Sequence, residues 1–162
     1  MGAAQRLAEL GLTLPSVAAP VAAYVPAVRT GRHVHTSGQL PFVDGALVAT
    51  GKVGADVSAD EGAALARTAA LNALAAVAAL VEREGGPAGA DALDRITRVV
   101  KVVGFVASDP SFTAQPTVIN GASLLLHDVL GEAGVHARSA VGVAVLPLDS
   151  PVEVEIVVEL AD

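Results

Sequence analysis

His136-Ala137-Arg138-Ser139-Ala140-Val141-Gly142-Val143-Ala144-Val145-Leu146-Pro147, continued by Val152-Glu153-Val154-Glu155-Ile156-Val157-Val158-Glu159-Leu160, is the stretch that decides how this chain folds. It reads as two strands joined by a Pro-Leu-Asp-Ser-Pro loop. The second strand alternates strictly, with Val152, Val154, Ile156 and Val158 on one face and Glu153, Glu155 and Glu159 on the other. Alternation of period two marks a strand with one buried face. The glutamate face is left to water or to another subunit. Arg138 is the only Lys or Arg after Lys101, and it stands at the mouth of the first strand.

Upstream, Ile96 to Val106 is dense in β-branched residues and predicts a central strand. Between it and Arg138, Pro116 opens a second helix that runs to about Leu130, with Gly131 at its end. A longer helix precedes them both. Ser58-Ala59-Asp60-Glu61 is a capping box, and the helix it opens runs to about Glu84, closed by Gly85-Gly86. From Ala69 to Val81 its only polar residue is Asn72. A helix so apolar is covered on more than one face, which points to oligomerisation.

Three short strands are predicted before it. Tyr24 to Arg29 carries Pro26 and so belongs at an edge or a strand start. His33 to Leu40 ends in Thr36-Ser37-Gly38-Gln39, and Asp44-Gly45 turns the chain back into Ala46 to Ala49. Residues 1–22 form an N-terminal extension, with a short amphipathic helix from Ala3 to Leu10 that has Leu7 and Leu10 on one side and an arm bounded by Pro15 and Pro20. Its expected role is to cover an edge. Residues 23–162 are then a single α+β domain with its helices on one face of a mixed sheet.

Composition narrows the chemistry. The chain has no cysteine, which excludes disulfides and thiolate catalysis. Its formal charge is −7, from 10 Lys+Arg against 17 Asp+Glu, with no basic cluster to displace counterions from a nucleic acid. No leader and no membrane-spanning stretch is read, so the expected place is the cytoplasm. His33 and His35 share one strand face but lack a third ligand, and no metal site is predicted. Gly51-Lys52-Val53-Gly54 lacks the spacing of a phosphate loop. Ser37 and Ser139 lie in no nucleophile elbow.

Arg138 together with a glutamate remains. A guanidinium matches a carboxylate, and a glutamate can polarise a water for attack on a C=N carbon. The same residues would also serve as a structural ion pair or as solvated charges. If the Pro147–Pro151 loop made a simple hairpin, Arg138 would face about Leu160 and lie roughly 20 Å from Glu153. A shared pocket then needs another strand order or a neighbouring subunit.

From Tyr24 to Leu160 the chain resembles the RidA/YjgF family of reactive-imine deaminases, also described as endoribonuclease L-PSP. The resemblance rests on Tyr24-Val25, Thr36-Ser37-Gly38-Gln39-Leu40-Pro41, Arg98 to Lys101 with Gly104-Phe105-Val106, Asn120, Ala137-Arg138-Ser139, Leu146-Pro147 and Val152-Glu153-Val154-Glu155. The N-terminal extension and Val118 to Ser123 resemble a longer YjgF-like branch. The resemblance implies a chorismate-mutase-like fold, a mixed six-stranded sheet with two helices on one face, and a barrel-like homotrimer with clefts between subunits. It implies that Arg138 holds a substrate carboxylate and Glu153 positions the hydrolytic water. Tyr24, Ser37, Gly38 and Asn120 would line the pocket, and the backbone at Ala140 would contact the reacting group. The implied reaction converts an enamine or imine, such as 2-aminoacrylate or 2-iminopropanoate, to a 2-oxo acid and ammonia without a cofactor. A non-catalytic trimer that binds small carboxylates as a sensor or scaffold is the alternative, with RNA cleavage behind it. Ala140 departs from the cysteine that many of these deaminases carry there.

Overall fold

A computed structural model of the chain describes residues 1–17 and 23–162. Three α-helices, α1 (Ala3–Glu9), α2 (Ala59–Arg83) and α3 (Gln115–Leu130), accompany seven strands. The strands are β1 (Ala27–Thr30), β2 (His33–Thr36), β3 (Phe42–Val43), β4 (Ala46–Leu47), β5 (Ile96–Ala107), β6 (Ala137–Val143) and β7 (Val152–Leu160). A 3₁₀ segment, Gly89–Arg95, leads into β5.

The alternating stretch becomes β7, the middle strand of a sheet ordered β1-β2-β7-β5-β6. Val152, Val154, Ile156, Val158 and Leu160 are buried, while Glu153, Glu155 and Glu159 are half-buried on the other face. β7 runs antiparallel to β2 and β5, and β6 runs parallel to β5, so the sheet is mixed. Five strands pair in it rather than six. β3 and β4 form a separate hairpin about Asp44-Gly45, both at positive φ as a tight turn requires. They have two residues each and pair only with each other. Asn72 of α2 also donates to the carbonyls of Leu40 and Phe42 at 3.0 and 3.1 Å, so a helix side chain satisfies groups that a sheet neighbour would otherwise take.

The last two strands do not pair as a simple hairpin. β5 lies between β6 and β7, and a 3₁₀ turn at Pro147–Asp149 carries the chain across. β1 sits at an edge as expected, but it starts at Ala27 rather than Tyr24. Pro26 has no N–H for the ladder, and its carbonyl instead accepts from Ser37 N at 2.8 Å.

α2 begins with the predicted capping box: Ser58 Oγ accepts from Glu61 N at 3.1 Å and Ser58 N donates to Glu61 Oε2 at 2.8 Å. Its all-round apolarity is answered within the chain, by β7 on one side and by α3 and the 3₁₀ segment on others. α2 is long and apolar enough to cross a membrane by composition, contrary to the sequence reading, yet 67% of its most apolar window is buried here as core. α3 lies close against α2: a Cβ at Gly121 would overlap the carbonyl of Ala63. α2 and α3 both cover the sheet face that carries the alternating valines. α1 packs on the 3₁₀ segment and α3, not on a sheet edge; Leu7 is buried but Leu10 is exposed. Pro20 lies outside the described residues.

Candidate functional site

Strand parity decides where the two charged candidates point. Arg138 pairs with Val102, which pairs across β5 with Ile156. Val102 and Ile156 are both buried beneath the helices, so Arg138 points to the helix face. Glu153 pairs with Phe105 and has the opposite parity, so it points to the open face. Their Cα atoms are about 14 Å apart by strand rise and spacing, with the sheet between their side chains. The new strand order therefore does not bring Arg138 and Glu153 into one pocket within one chain.

The Arg138 half is built on the edge strand β6 and the start of α3. Its Nη1 donates to Asn120 Oδ1 at 2.8 Å and to Ser123 Oγ at 3.1 Å, and its Nη2 donates to the Pro116 carbonyl at 3.3 Å. A guanidinium has five N–H groups. Among the described residues these three contacts leave Nε–H and one Nη2–H, a donor set suited to a carboxylate. Arg138 makes no ion pair among the described residues, so the structural-ion-pair alternative is not what this side chain forms. Ala140 follows two residues on, on the same face, packed against the core.

Ser123 and His136 belong to this half, and sequence reading missed both. His136 Nδ1 lies 2.6 Å from the Gly134 carbonyl and Nε2 lies 2.9 Å from Ser123 Oγ. Burial above all, helped by the charge of Arg138, lowers the His136 pKa despite the bond to Gly134. The signal was in the spacing: Asn120 and Ser123 are i, i+3 on a helix, and His136 and Arg138 are i, i+2 on the way into a strand.

The Glu153 half lies at the other end of β7. Gln39 pairs its backbone with Val154 in both directions, at 2.8 and 3.0 Å, which seats Gly38 beside Glu153. A Cβ at Gly38 would collide with the Glu153 carboxylate. Burial, then the neighbouring Glu155, raises the Glu153 pKa above its ordinary 4.5. Ser37 Oγ donates to the Val25 carbonyl at 2.6 Å, which ties down the residue next to Tyr24, whose ring is exposed. The seven candidates thus fall into two groups, Arg138, Asn120 and Ala140 in one and Glu153, Gly38, Ser37 and Tyr24 in the other.

The remaining candidates are structural or open. Lys52 donates to the Ala144 carbonyl. His33 and His35 are exposed opposite Glu159 and Val157. A groove of about 380 Å³ between the Ala49–Val57 segment and α2 contains none of the site residues.

The sequence profile of the family described as "YjgF/chorismate mutase-like, putative endoribonuclease" matches residues 4–160 and so takes in most of α1. Protein TCP17 of Trypanosoma cruzi is 46% identical over 158 residues, covering 97% of this chain and 93% of its own. A crystal structure of a protein of unknown function from Agrobacterium tumefaciens is 43% identical with a TM-score of 0.86, covering 98% of this chain and 92% of its own. A Shewanella oneidensis structure described as a "putative endoribonuclease" is 36% identical with a TM-score of 0.88, covering 99% of this chain and 100% of its own. With its mixed sheet, its helices on one face and this match along nearly its whole length, the chain belongs to the YjgF/chorismate mutase-like family.

Proposed function

We propose that this protein hydrolyses reactive enamines and imines of small acids, of the 2-aminoacrylate and 2-iminopropanoate type, to 2-oxo acids and ammonia. The observation that carries the reading is the Arg138 guanidinium, held by three acceptors of α3 with two N–H groups to spare. Such a fork binds a carboxylate through paired, charge-assisted bonds. The substrate's C=N carbon would then sit one bond from the clamped carboxylate. Glu153 takes a proton from water as the oxygen adds to that carbon. The same carboxyl returns that proton to nitrogen to complete the carbinolamine. As the C–N bond then breaks, the carbinolamine's hydroxyl proton passes to the leaving nitrogen, so that C=O forms and ammonia departs. A carboxylate whose pKa is raised is suited to both tasks. No cofactor enters these steps. Ala140 would offer its backbone, on an edge strand, to the reacting group.

The reading needs a second copy of the chain, because Arg138 and Glu153 lie on opposite faces of one sheet. A homotrimer would supply it, with Arg138, Asn120 and Ala140 of one protomer meeting Glu153, Gly38, Ser37 and Tyr24 of the next. Support comes from the open face, where Val28, Val103, Phe105, Val141 and Val157 remain partly or fully exposed. The acidic balance favours a small metabolite over RNA. The cytoplasm is the compartment proposed for it.

The test couples the protein to an enzyme that generates 2-aminoacrylate and follows pyruvate. Release should be accelerated by the protein and lost in Arg138→Ala with the assembly intact. Equal turnover by Arg138→Ala would defeat the reading. Tight binding of 2-oxo acids with no turnover of any imine would replace it with the carboxylate-binding sensor.

A further inference from the structure

Behind the clamp lies a chain of polar contacts that ends in backbone. A Cβ at Gly134 would overlap the backbone of Leu126 and His127, so the Gly134 carbonyl is packed directly under the last turns of α3. That carbonyl can only accept, so His136 Nδ1 carries the hydrogen of their 2.6 Å contact. In the neutral ring Nε2 is then an acceptor, and the Ser123 hydroxyl donates to it at 2.9 Å. The Ser123 oxygen keeps its lone pairs for Arg138 Nη1–H, 3.1 Å away. Each contact therefore has one direction, Arg138 to Ser123 to His136 to Gly134, and each donation strengthens the acceptor before it.

We propose that Ser123 and His136 are positioning residues that orient the Arg138 guanidinium and so set the affinity for the substrate's carboxylate. The proposal deepens the clamp reading above and rests on it. Asn120 holds the same nitrogen from the opposite side, but it is exposed at the surface of α3. Ser123 and His136 are the part-buried partners, tied to the body of the protein through Gly134. Without them one of the two hydrogens on Nη1 has no acceptor, and the fork is held only by the exposed Asn120 and the longer bond to the Pro116 carbonyl. Burial keeps His136 in the neutral form that the directed chain needs.

The experiment measures pyruvate binding by calorimetry, with KM and kcat from the 2-aminoacrylate assay, on the full chain. Ser123→Ala and His136→Leu should each weaken pyruvate binding and raise KM about tenfold, the loss of one bond to a charged group, with kcat changed by less than about threefold. The double variant should be no worse than the weaker single one, because both interrupt one relay. Ser123→Thr, which keeps the hydroxyl, should bind within about twofold of the original chain. Ser123→Ala removes a single oxygen and serves where His136→Leu does not fold. Wild-type affinity in Ser123→Ala with affinity lost in Arg138→Ala overturns the relay and leaves the clamp standing. Unchanged affinity in Arg138→Ala overturns the clamp itself. Equal losses in Tm, kcat and affinity for Ser123→Ala overturn the positioning role in favour of a purely structural one.

Discussion

Arg138 and Glu153 stand on opposite faces of one sheet, their registers three residues apart along β5, at Val102 and Phe105. The arginine is on an edge strand and reaches under α3. The glutamate is on the middle strand and faces away from both large helices. A single protomer therefore presents two half-sites.

Half-sites can be recombined. Arg138→Ala and Glu153→Gln should each be inactive alone. Unfolded together and refolded, they should recover about a quarter of the original activity, because random assembly gives one site in four both intact residues. A mixture that stays inactive although mixed oligomers form would place both residues in one chain and sink the trimer reading.

On the proposed function, acid should silence turnover at a higher pH than an ordinary carboxylate would. Glu153 must be ionised to accept a proton, and its pKa is raised above 4.5, so kcat/KM should fall as pH drops through that raised value. The sign for stability is opposite. The folded state holds this proton more tightly than the unfolded chain, so its stabilising contribution is complete below 4.5 and is lost as pH rises through the folded value. Glu153→Gln should thus have a Tm at or above that of the original chain at pH 7, with the gap closing in acid. A lower Tm for Glu153→Gln at pH 7 would contradict this.

Gly38→Ala should cost activity and little stability. The added methyl meets the free end of a side chain, the Glu153 carboxylate, which can move aside but then leaves its place. A loss of tenfold or more in kcat, an order-of-magnitude expectation for a misplaced base, with a Tm change within about 3 °C, is the expected pattern. Full activity would show that the contact with Gly38 does not set the carboxylate's position.

Gly121→Ala should do the reverse. Here the methyl meets the Ala63 carbonyl, which is backbone and cannot rotate away, so α2 and α3 must separate. A cost of about 3 kcal/mol is expected, read as a Tm lowered by roughly 6–12 °C. An unchanged Tm would mean that the two helices adjust freely.

Much of the fold was legible because its signals are local. The valine–glutamate alternation placed β7, the Ser58–Glu61 box placed the start of α2, and Pro116 and Gly131 bracketed α3. Strand order was not legible, since nothing in residues 147–151 says that β5 will lie between the strands they join. What covers α2 was not legible for the same reason: sequence shows that a helix is covered, not by what. At the site, Arg138 stood out as the only Lys or Arg after Lys101, and the resemblance supplied the choice of Glu153 as its partner. Neither strand parity nor the Ser123–His136 contact could be seen before β5 and α3 were placed beside β6.

The middle strand of this sheet is also the last one made. β2 and β5 are separated by 59 residues of chain, and both wait for β7 to pair with them. Until Val152 to Leu160 arrive, a nascent chain carries two open strand margins, with the valine-rich flank of β5 uncovered. Cooperative closure comes only when one nine-residue segment joins two incomplete halves. A chain interrupted before Val152 should therefore aggregate on release rather than persist as a smaller folded unit.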